Sequence, residues 1–99
     1  MNCALNDTLI QSIQAIGEKY AIKQIVLFGS RARGDNKPTS DIDLAVYPLP
    51  EFMSKGYFSS DIEDLATLFK IDIVFINDYT DIKLIENIKK EGVVIYERL

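Results

Sequence analysis

Residues 24–47 read QIVLFGSRARGDNKPTSDIDLAVY, and this stretch decides the fold. Its first five residues, 24–28, form a short apolar run rich in β-branched and aromatic side chains, which predicts a buried strand that Gly29 ends. Residues 41–47 alternate polar and apolar at first and then become apolar, which predicts a second strand. Residues 24–47 are therefore predicted to form two strands joined by a polar connection.

The connection between these strands begins with Gly29 and Ser30. Glycine lets the backbone approach a phosphate closely. The amides that open a short helical turn over 30–34, with Ser30 as its N-cap, are ready anion donors. The alternative is a glycine that only ends the strand and a serine that only caps the turn, and an isolated Gly-Ser pair favours that alternative. The Walker loop and the dinucleotide fingerprint are absent, and 35–40 has loop composition.

Asp41 and Asp43 open the second predicted strand. Side chains at i and i+2 of a strand share one face, so both carboxylates are expected to project the same way. Like charges this close repel, and a hard divalent cation such as Mg²⁺ removes the penalty by using the pair as ligands together with substrate phosphates. The alternative, a solvated polar face on an edge strand, is equally favoured by Asp-x-Asp alone.

The rest of the chain predicts alternating helices and strands. In order, these are a helix from 6 or 7 to 20, a helix opened by a capping box at 60–63, a strand over 71–76, a helix from 80 or 81 to a stop at Gly92, and a strand over 93–96. The apolar face of the helix after the capping box is assigned to Ile62, Leu65, Ala66 and Phe69, and 51–57 is assigned to a loop. The order αβ(α)βαβαβ predicts the α/β (α+β) class, with one mixed sheet of about four strands and helices packed on it in a single domain, 1–99.

Asp72 interrupts the apolar strand Ile-Asp-Ile-Val-Phe-Ile. Burying an unpaired carboxylate costs free energy, so Asp72 is a candidate functional residue. If its strand lies beside the Asp41 strand, Asp72 completes a triad of carboxylates and can bind a second metal or activate an acceptor hydroxyl. The alternative is an aspartate at the strand end that reaches solvent.

Arg31 and Arg33 flank the Gly-Ser turn, and either can offer a bidentate fork to a triphosphate. Their spacing indicates that they do not point the same way. The alternative for Arg33 is an ion pair with a surface acid such as Asp35.

Composition excludes several functions. The net charge is −4, without a basic cluster, which argues against binding of duplex nucleic acid. The chain has no histidine, which excludes His-activated nucleophiles and His metal sites. The one cysteine, Cys3, cannot form an internal disulfide. We expect a cytoplasmic protein without a membrane role, because neither a signal peptide nor an apolar run of roughly 20 residues is present.

The segment LFGSRARG at 27–34, followed by SDIDL at 40–44, resembles the signature of polymerase-β-type nucleotidyltransferases. More narrowly, it is similar to the minimal nucleotidyltransferases of prokaryotes. Ten residues separate Ser30 from Asp41, the spacing of the antitoxin branch of those proteins. The resemblance covers essentially the whole chain, because the length, Asp72 within Ile-Asp-Ile and the closing KEGVVIYE also fit.

This resemblance implies the nucleotidyltransferase fold and a site in which Gly29 and Ser30 contact the phosphates of ATP. It implies that Asp41 and Asp43 bind Mg²⁺, as one or two ions, and that Asp72 is the third carboxylate. The implied partner is a small helical ribonuclease toxin of the HEPN class, bound as a hetero-oligomer and neutralised by transfer of AMP to one of its tyrosines. The small size of the chain agrees with an acceptor on another protein.

Two other functions stay open. One is an antitoxin that neutralises its partner by occlusion, without turnover. The other is nucleotidyl transfer to a small molecule or an RNA end, which the lack of a basic patch disfavours. The sequence also leaves a homodimer open.

Overall fold

The computed structural model describes residues 5–65 and 67–99, so the predictions for Cys3 and Ala66 lie outside the described residues. The elements are α1 (Asp7–Lys19), β1 (Ile22–Phe28), α2 (Ser30–Arg33), β2 (Ile42–Pro48), α3 (Lys55–Glu63), β3 (Ile71–Phe75), α4 (Ile82–Glu91) and β4 (Val93–Glu97). This order confirms the predicted αβ(α)βαβαβ pattern. None of the helices within the described ranges has the length and apolar character that a membrane span requires.

The four strands form one mixed sheet in the order β3-β2-β1-β4. Strand β1 pairs antiparallel with β2 and with β4, whereas β2 and β3 are parallel. The prediction of a mixed four-stranded sheet is therefore confirmed. The parallel pair sets Asp43 directly opposite Asp72, and the antiparallel pair sets Phe28 opposite Asp43.

The main core lies between one face of the sheet and the helices α1 and α3. Its fully buried members come from both helices and from the two strands β1 and β2: Ile13, Ile22, Ile25, Leu27, Ile42, Leu44, Val46, Phe58 and Ile62. A smaller cluster on the opposite face joins Val26 and Ala45 to Ile88 of α4. Because Asp43 lies two residues before Ala45 in β2, its side chain projects on the α4 face.

Helix α1 begins where the sequence predicts. The Asn6 side chain caps it by accepting a hydrogen bond from the Leu9 amide at 2.8 Å. The buried residues Leu9, Ile10, Ile13 and Ile16 recur at helical spacing and face the core. The helix ends at Lys19, one residue before the predicted end.

The strand boundaries differ from the prediction by one or two residues, most of all in the central strands. Strand β1 begins at Ile22, two residues early, because Ile22 is fully buried and pairs with Pro48. Strand β2 begins at Ile42, so Asp41 stands just before it, and the strand runs on to Pro48. Pro48 is its last residue and pairs with Ile22, next to the register shift between Ile22 and Gln24, and such an irregularity tolerates a proline.

The capping-box prediction for residues 60–63 is wrong. Helix α3 runs over Lys55–Glu63, so these residues form its last turn, and the described residues that follow, 64, 65 and 67–69, are not helical. Burial of the Phe58 ring explains the difference, because this ring packs at 5.7–6.0 Å centroid distances against Tyr20, Phe52 and Phe75. The Asp61 side chain does not cap a helix. It accepts hydrogen bonds from Lys19 and Tyr20 at the end of α1.

Candidate active site

The turn after β1 is made by Gly29. Its backbone has φ +78° and ψ −159°, a region that is essentially restricted to glycine. Gly29 is the N-cap of α2, and its carbonyl accepts hydrogen bonds from the amides of Ala32 and Arg33 at 3.1 Å. The prediction that Ser30 is the N-cap is therefore wrong: Ser30 is the first helical residue, because the glycine supplies the turn geometry.

Gly29 also makes room for Asp43. A Cβ atom on residue 29 would lie only 2.6 Å from Asp43 Oδ2. The missing side chain thus lets the Asp43 carboxylate pack directly against the backbone of the turn. The predicted approach of the Gly-Ser turn to the acidic residues is found.

The three aspartates lie at the same end of two neighbouring strands. Asp43 is half-buried in β2, Asp72 is its in-register neighbour on β3, and Asp41 is exposed just before β2. In the strand order, Asp43 lies between the Gly29 turn on the β1 side and Asp72 on the β3 side. The sequence predicts a triad of carboxylates if the Asp72 strand lies beside the Asp41 strand. The two strands are neighbours in the sheet.

Electrostatic repulsion is present within this group. Burial raises the pKa of the Asp43 carboxyl, and the negative charges of Asp72 and Asp41 raise this pKa further, while Arg33 opposes them. Asp72 has a partial counterion in Lys70, whose Nζ lies 3.4 Å from Asp72 Oδ1. The group therefore carries negative charge that its own surroundings neutralise only in part, which suits a bound cation.

The donor set fits Mg²⁺ in particular. All candidate ligands are carboxylate oxygens, the ligands that hard divalent cations prefer. Within residues 5–65 and 67–99, no three acidic, histidine or cysteine side chains converge as a complete metal site. Mg²⁺ rarely uses an all-protein cage and is commonly held by one or two carboxylates with substrate phosphates and water. The aspartates are thus suited to an ion that arrives with its nucleotide.

Arg31 is buried, with 5% of its surface exposed. Its Nε donates to the Ser40 carbonyl at 3.0 Å and its Nη2 to the Pro38 carbonyl at 3.5 Å. Its guanidinium also lies 4.1 Å from the centre of the Phe69 ring. These contacts hold the loop that leads into Asp41, and a phosphate contact by Arg31 stays a prediction.

Arg33 is exposed and makes two ion pairs. Its Nε lies 3.1 Å from Asp35 Oδ2, the partner anticipated in the alternative interpretation, and its Nη1 lies 3.0 Å from Glu91 Oε1. Its positive charge nevertheless acts on Asp43, whose pKa it lowers. Arg33 is therefore within electrostatic reach of Asp43, and a phosphate contact by Arg33 stays a prediction.

Three neighbours of the site were not singled out from the sequence. Glu91 pairs with Arg33 across 58 residues of chain, a contact that no local pattern encodes. Lys70 precedes β3, and its position next to an aspartate at i+2 was a usable signal. Phe69 was assigned to a helix, which concealed its contact with Arg31.

Comparison with known proteins agrees with this arrangement. The sequence profile of the family described as "Polymerase beta, Nucleotidyltransferase" matches residues 11–99. A relative from Methanocaldococcus jannaschii, named "Putative protein adenylyltransferase MJ1215", is 32% identical over 72 residues, covering 71% of this chain and 83% of the relative.

Two solved structures share the fold. A mutant of the toxin–antitoxin MntA–HpeT superposes with a TM-score of 0.71 at 19% identity, covering 95% of this chain and 75% of that one. A toxin–antitoxin with AMP-PNP gives a TM-score of 0.66 at 18% identity, covering 90% of this chain and 73% of that one. At these identities the likeness shows the fold alone, which is the fold expected from the sequence.

Proposed function

The chain belongs to the polymerase β nucleotidyltransferase family, and from this premise we propose that it transfers AMP from ATP to a hydroxyl of a partner toxin and so acts as an antitoxin. The observation that carries the proposal is the packing of Asp43 against Gly29 with Asp72 beside it. The name of the M. jannaschii relative supports adenylyl transfer to a protein. The structural neighbours support a toxin as the partner.

The turn at Gly29 is the proposed cradle for the phosphates. The packing of Asp43 against Gly29 sets this turn beside the aspartates, and the first amides of α2, starting at Ser30, point out of the start of the helix. The Ser30 hydroxyl adds a donor. Arg33 is the proposed cationic contact, because it is exposed and its ion pairs with Asp35 and Glu91 are at the surface, where they cost little to exchange for a phosphate.

Asp41 and Asp43 are the proposed ligands of Mg²⁺, and Asp72 is either a further ligand or the group that receives the acceptor proton. When bound, Mg²⁺ neutralises the triphosphate and stabilises charge on the α-phosphate. A bound cation would offset the negative charges of Asp72 and Asp41, which together with burial raise the pKa of Asp43. Arg31 acts indirectly, by fixing the loop that ends at Asp41.

The proposed reaction is a single displacement at phosphorus. The acceptor hydroxyl oxygen bonds to the α-phosphorus of ATP, the bond between that phosphorus and the bridging oxygen to the β-phosphate breaks, and pyrophosphate leaves. The hydroxyl proton passes to the Asp72 carboxylate and then to water. Positioning and charge stabilisation supply most of the rate in such a reaction.

The proposal is tested with labelled ATP, Mg²⁺ and the protein encoded by the adjacent gene. We expect label on that protein and loss of its toxic activity with wild type and with Asp78→Asn, an exposed aspartate outside the site. We expect neither with Asp43→Asn. If Asp43→Asn neutralises the toxin as well as wild type does and no label transfers, occlusion replaces catalysis as the function.

Identification of the toxin as a HEPN protein, and of the acceptor as tyrosine, rests on the sequence resemblance. Hetero-oligomer formation rests on the same resemblance, with a homodimer left open. A cytoplasmic location and the absence of duplex nucleic-acid binding rest on the sequence itself, which has neither a signal peptide nor a basic cluster. Sequencing of the labelled peptide decides the acceptor residue directly.

A further inference from the structure

We propose that Arg31 and Phe69 form a pair of positioning residues that holds Asp41 and the start of β3 in the arrangement that binds Mg²⁺ together with ATP. Neither side chain is proposed to touch the nucleotide. Arg31 holds the chain just before Asp41, and Phe69 holds Arg31. The inference rests on the proposed function and deepens it, because it names what keeps the candidate metal ligands together before an ion arrives.

Asp41 is the one aspartate of the three that lies outside the strands. Asp43 and Asp72 belong to paired strands, and the sheet fixes their backbone. Asp41 precedes β2 and is exposed, so no strand pairing holds it. Ordering an unrestrained side chain around an ion costs conformational entropy. Contacts that fix Asp41 in advance therefore strengthen binding of the ion.

The residues before Asp41 form a tight turn that Arg31 holds. The Ser40 amide donates to the Lys37 carbonyl at 3.0 Å, and the Lys37 amide donates to the Ser40 hydroxyl oxygen at 2.9 Å. Arg31 Nε donates to the Ser40 carbonyl at 3.0 Å, and its Nη2 donates to the Pro38 carbonyl at 3.5 Å. Because Ser40 is bonded directly to Asp41, the Arg31 guanidinium sets the point from which Asp41 starts.

The Phe69 ring covers this guanidinium. The distance from Arg31 Cζ to the centre of the ring is 4.1 Å. Arg31 is only 5% exposed, whereas Phe69 is 37% exposed, so the ring lies on the solvent side of the contact. A cation gains more from an aromatic face, and from its hydrogen bonds, where water is excluded. Phe69 therefore fixes the plane of the guanidinium and the direction of its hydrogen bonds to the turn.

The same pair joins the turn to the start of β3. Phe69 is followed by Lys70, whose carbonyl accepts a hydrogen bond from the first amide of β2 at 2.9 Å. Two residues further along, β3 carries Asp72. Arg31 thus contacts both the segment that leads into Asp41 and the segment that leads into Asp72. A shift of the guanidinium is expected to move these two carboxylates relative to each other.

A direct phosphate contact by Arg31 is the competing hypothesis. A guanidinium that binds phosphate strengthens nucleotide binding whether or not a metal ion is present. A residue that orients metal ligands acts through the aspartates, so its loss weakens binding only when a metal ion accompanies the nucleotide. The metal dependence of the loss therefore separates the two roles.

The test measures the Kd of a non-hydrolysable ATP analogue by amide NMR titration, once with Mg²⁺ and once with EDTA. Arg31→Lys keeps the charge but loses the planar fork that reaches two carbonyls. Phe69→Leu keeps an apolar side chain but removes the ring. We expect each variant to raise the Kd with Mg²⁺ about tenfold, as loss of a group that orients metal ligands does, and to leave the Kd in EDTA at the wild-type value.

Three further variants serve as controls. Phe69→Tyr keeps the ring and is expected to bind the analogue with Mg²⁺ as wild type does. Tyr79→Leu removes a ring that is 96% exposed and is the matched control for Phe69→Leu. Arg33→Lys, at the proposed phosphate contact, is expected to weaken binding both with Mg²⁺ and in EDTA. Urea denaturation checks that each variant is folded, and if Arg31→Lys is not, the variants at Phe69 decide.

Each failure has its own signature. If Arg31→Lys weakens binding in EDTA as much as with Mg²⁺, Arg31 contacts the phosphates and the proposal is overturned. Wild-type affinity of Phe69→Leu with Mg²⁺ overturns the pair while the proposed function stands. If wild type itself binds no analogue in either condition, the proposed function fails, and the pair has no site to position.

Discussion

At the scale of single residues, the two glycines that flank α2 have different tasks. Gly29 combines a glycine-only backbone with a contact to Asp43, whereas Gly34 has φ +85° and ψ 10°, and a Cβ atom added to it would have no neighbour within 4 Å. Glycine is required at position 29 both for its backbone angles and for the space beside Asp43, whereas at position 34 it is required for its backbone angles alone. The pair therefore offers a matched comparison of what the site demands.

We predict that Gly29→Ala lowers the free energy of unfolding by about 1–3 kcal/mol from backbone strain, with a further loss because the new methyl group meets Asp43 Oδ2. Gly34→Ala is expected to cost about 1–2 kcal/mol and to leave transfer intact. Urea denaturation and labelled-ATP transfer measure the two effects. Equal activity of the two variants contradicts the role given to Gly29.

Asp43 also connects function with stability. Because burial and the charges of Asp72 and Asp41 raise its pKa, the folded state holds this proton more tightly than the unfolded state does. Stability therefore falls as pH rises through the window between the unfolded and folded pKa values, and the loss persists above it.

We predict that Asp43→Asn raises Tm at neutral pH without Mg²⁺ and that this gain disappears as the pH falls below about 4, where the carboxyl is protonated in both states. Thermal unfolding in the presence of a chelator measures it. Asp78→Asn serves as the control and is expected to leave Tm unchanged. A fall in Tm for Asp43→Asn at neutral pH would contradict the prediction, because it would show that the Asp43 charge is compensated in the folded protein.

Much of the site could be predicted at this scale, because its chemistry is local. Asp43 and Asp72 were expected to meet on condition that their strands are neighbours, and they are paired in register. Arg31 and Arg33 could not be assigned, since their partners Ser40, Pro38 and Glu91 are set by the folded chain rather than by spacing.

At the scale of elements, some helix ends are positioned by local sequence signals and others by packing. Asn6 is an N-cap both in the sequence pattern and in the structure. Residues 60–63 have the capping-box pattern, yet they end α3 because Phe58 must be buried one turn earlier. A local hydrogen bond is worth less than a fully buried aromatic ring, so packing sets the position of this helix.

We predict that Asn6→Ala costs about 1 kcal/mol of stability, as loss of an N-cap does. Ser60→Ala is expected to stay within about 0.5 kcal/mol of wild type, because Ser60 is an exposed residue inside a helix. Chemical denaturation compares the two. A cost for Ser60→Ala as large as that of Asn6→Ala indicates that the capping box operates after all.

The contact between α1 and α3 has its own pH signature. Hydrogen bonds from Tyr20 and then Lys19 lower the pKa of the Asp61 carboxyl. A lowered pKa stabilises the folded state above the unfolded pKa, and this stabilisation is lost as the pH falls through the folded value.

We predict that Tyr20→Phe lowers Tm at neutral pH and that its difference from wild type vanishes in acid, below the usual carboxyl pKa of about 4. Tm measured across a pH series decides this. Tyr57→Phe, at an exposed ring, is the control. A difference that persists in strong acid attributes the effect to packing of the ring rather than to the ionised carboxylate.

At the scale of the whole molecule, alternation of helices and strands predicted the class and the number of strands. It did not predict the order β3-β2-β1-β4, in which the two strands of residues 24–47 are central. That order depends on which apolar faces cover one another, such as α1 and α3 over the core face. It is also what brings the third aspartate to the other two.

The measurement that most directly tests nucleotidyl transfer compares ATP labelled at the α-phosphate with ATP labelled at the γ-phosphate. Each is incubated with Mg²⁺, this protein and the protein encoded next to it. We predict stable label on the partner from α-labelled ATP alone, with none from Asp41→Asn or Asp43→Asn. Label from γ-labelled ATP, or label from neither while the toxin is neutralised, would contradict the assignment.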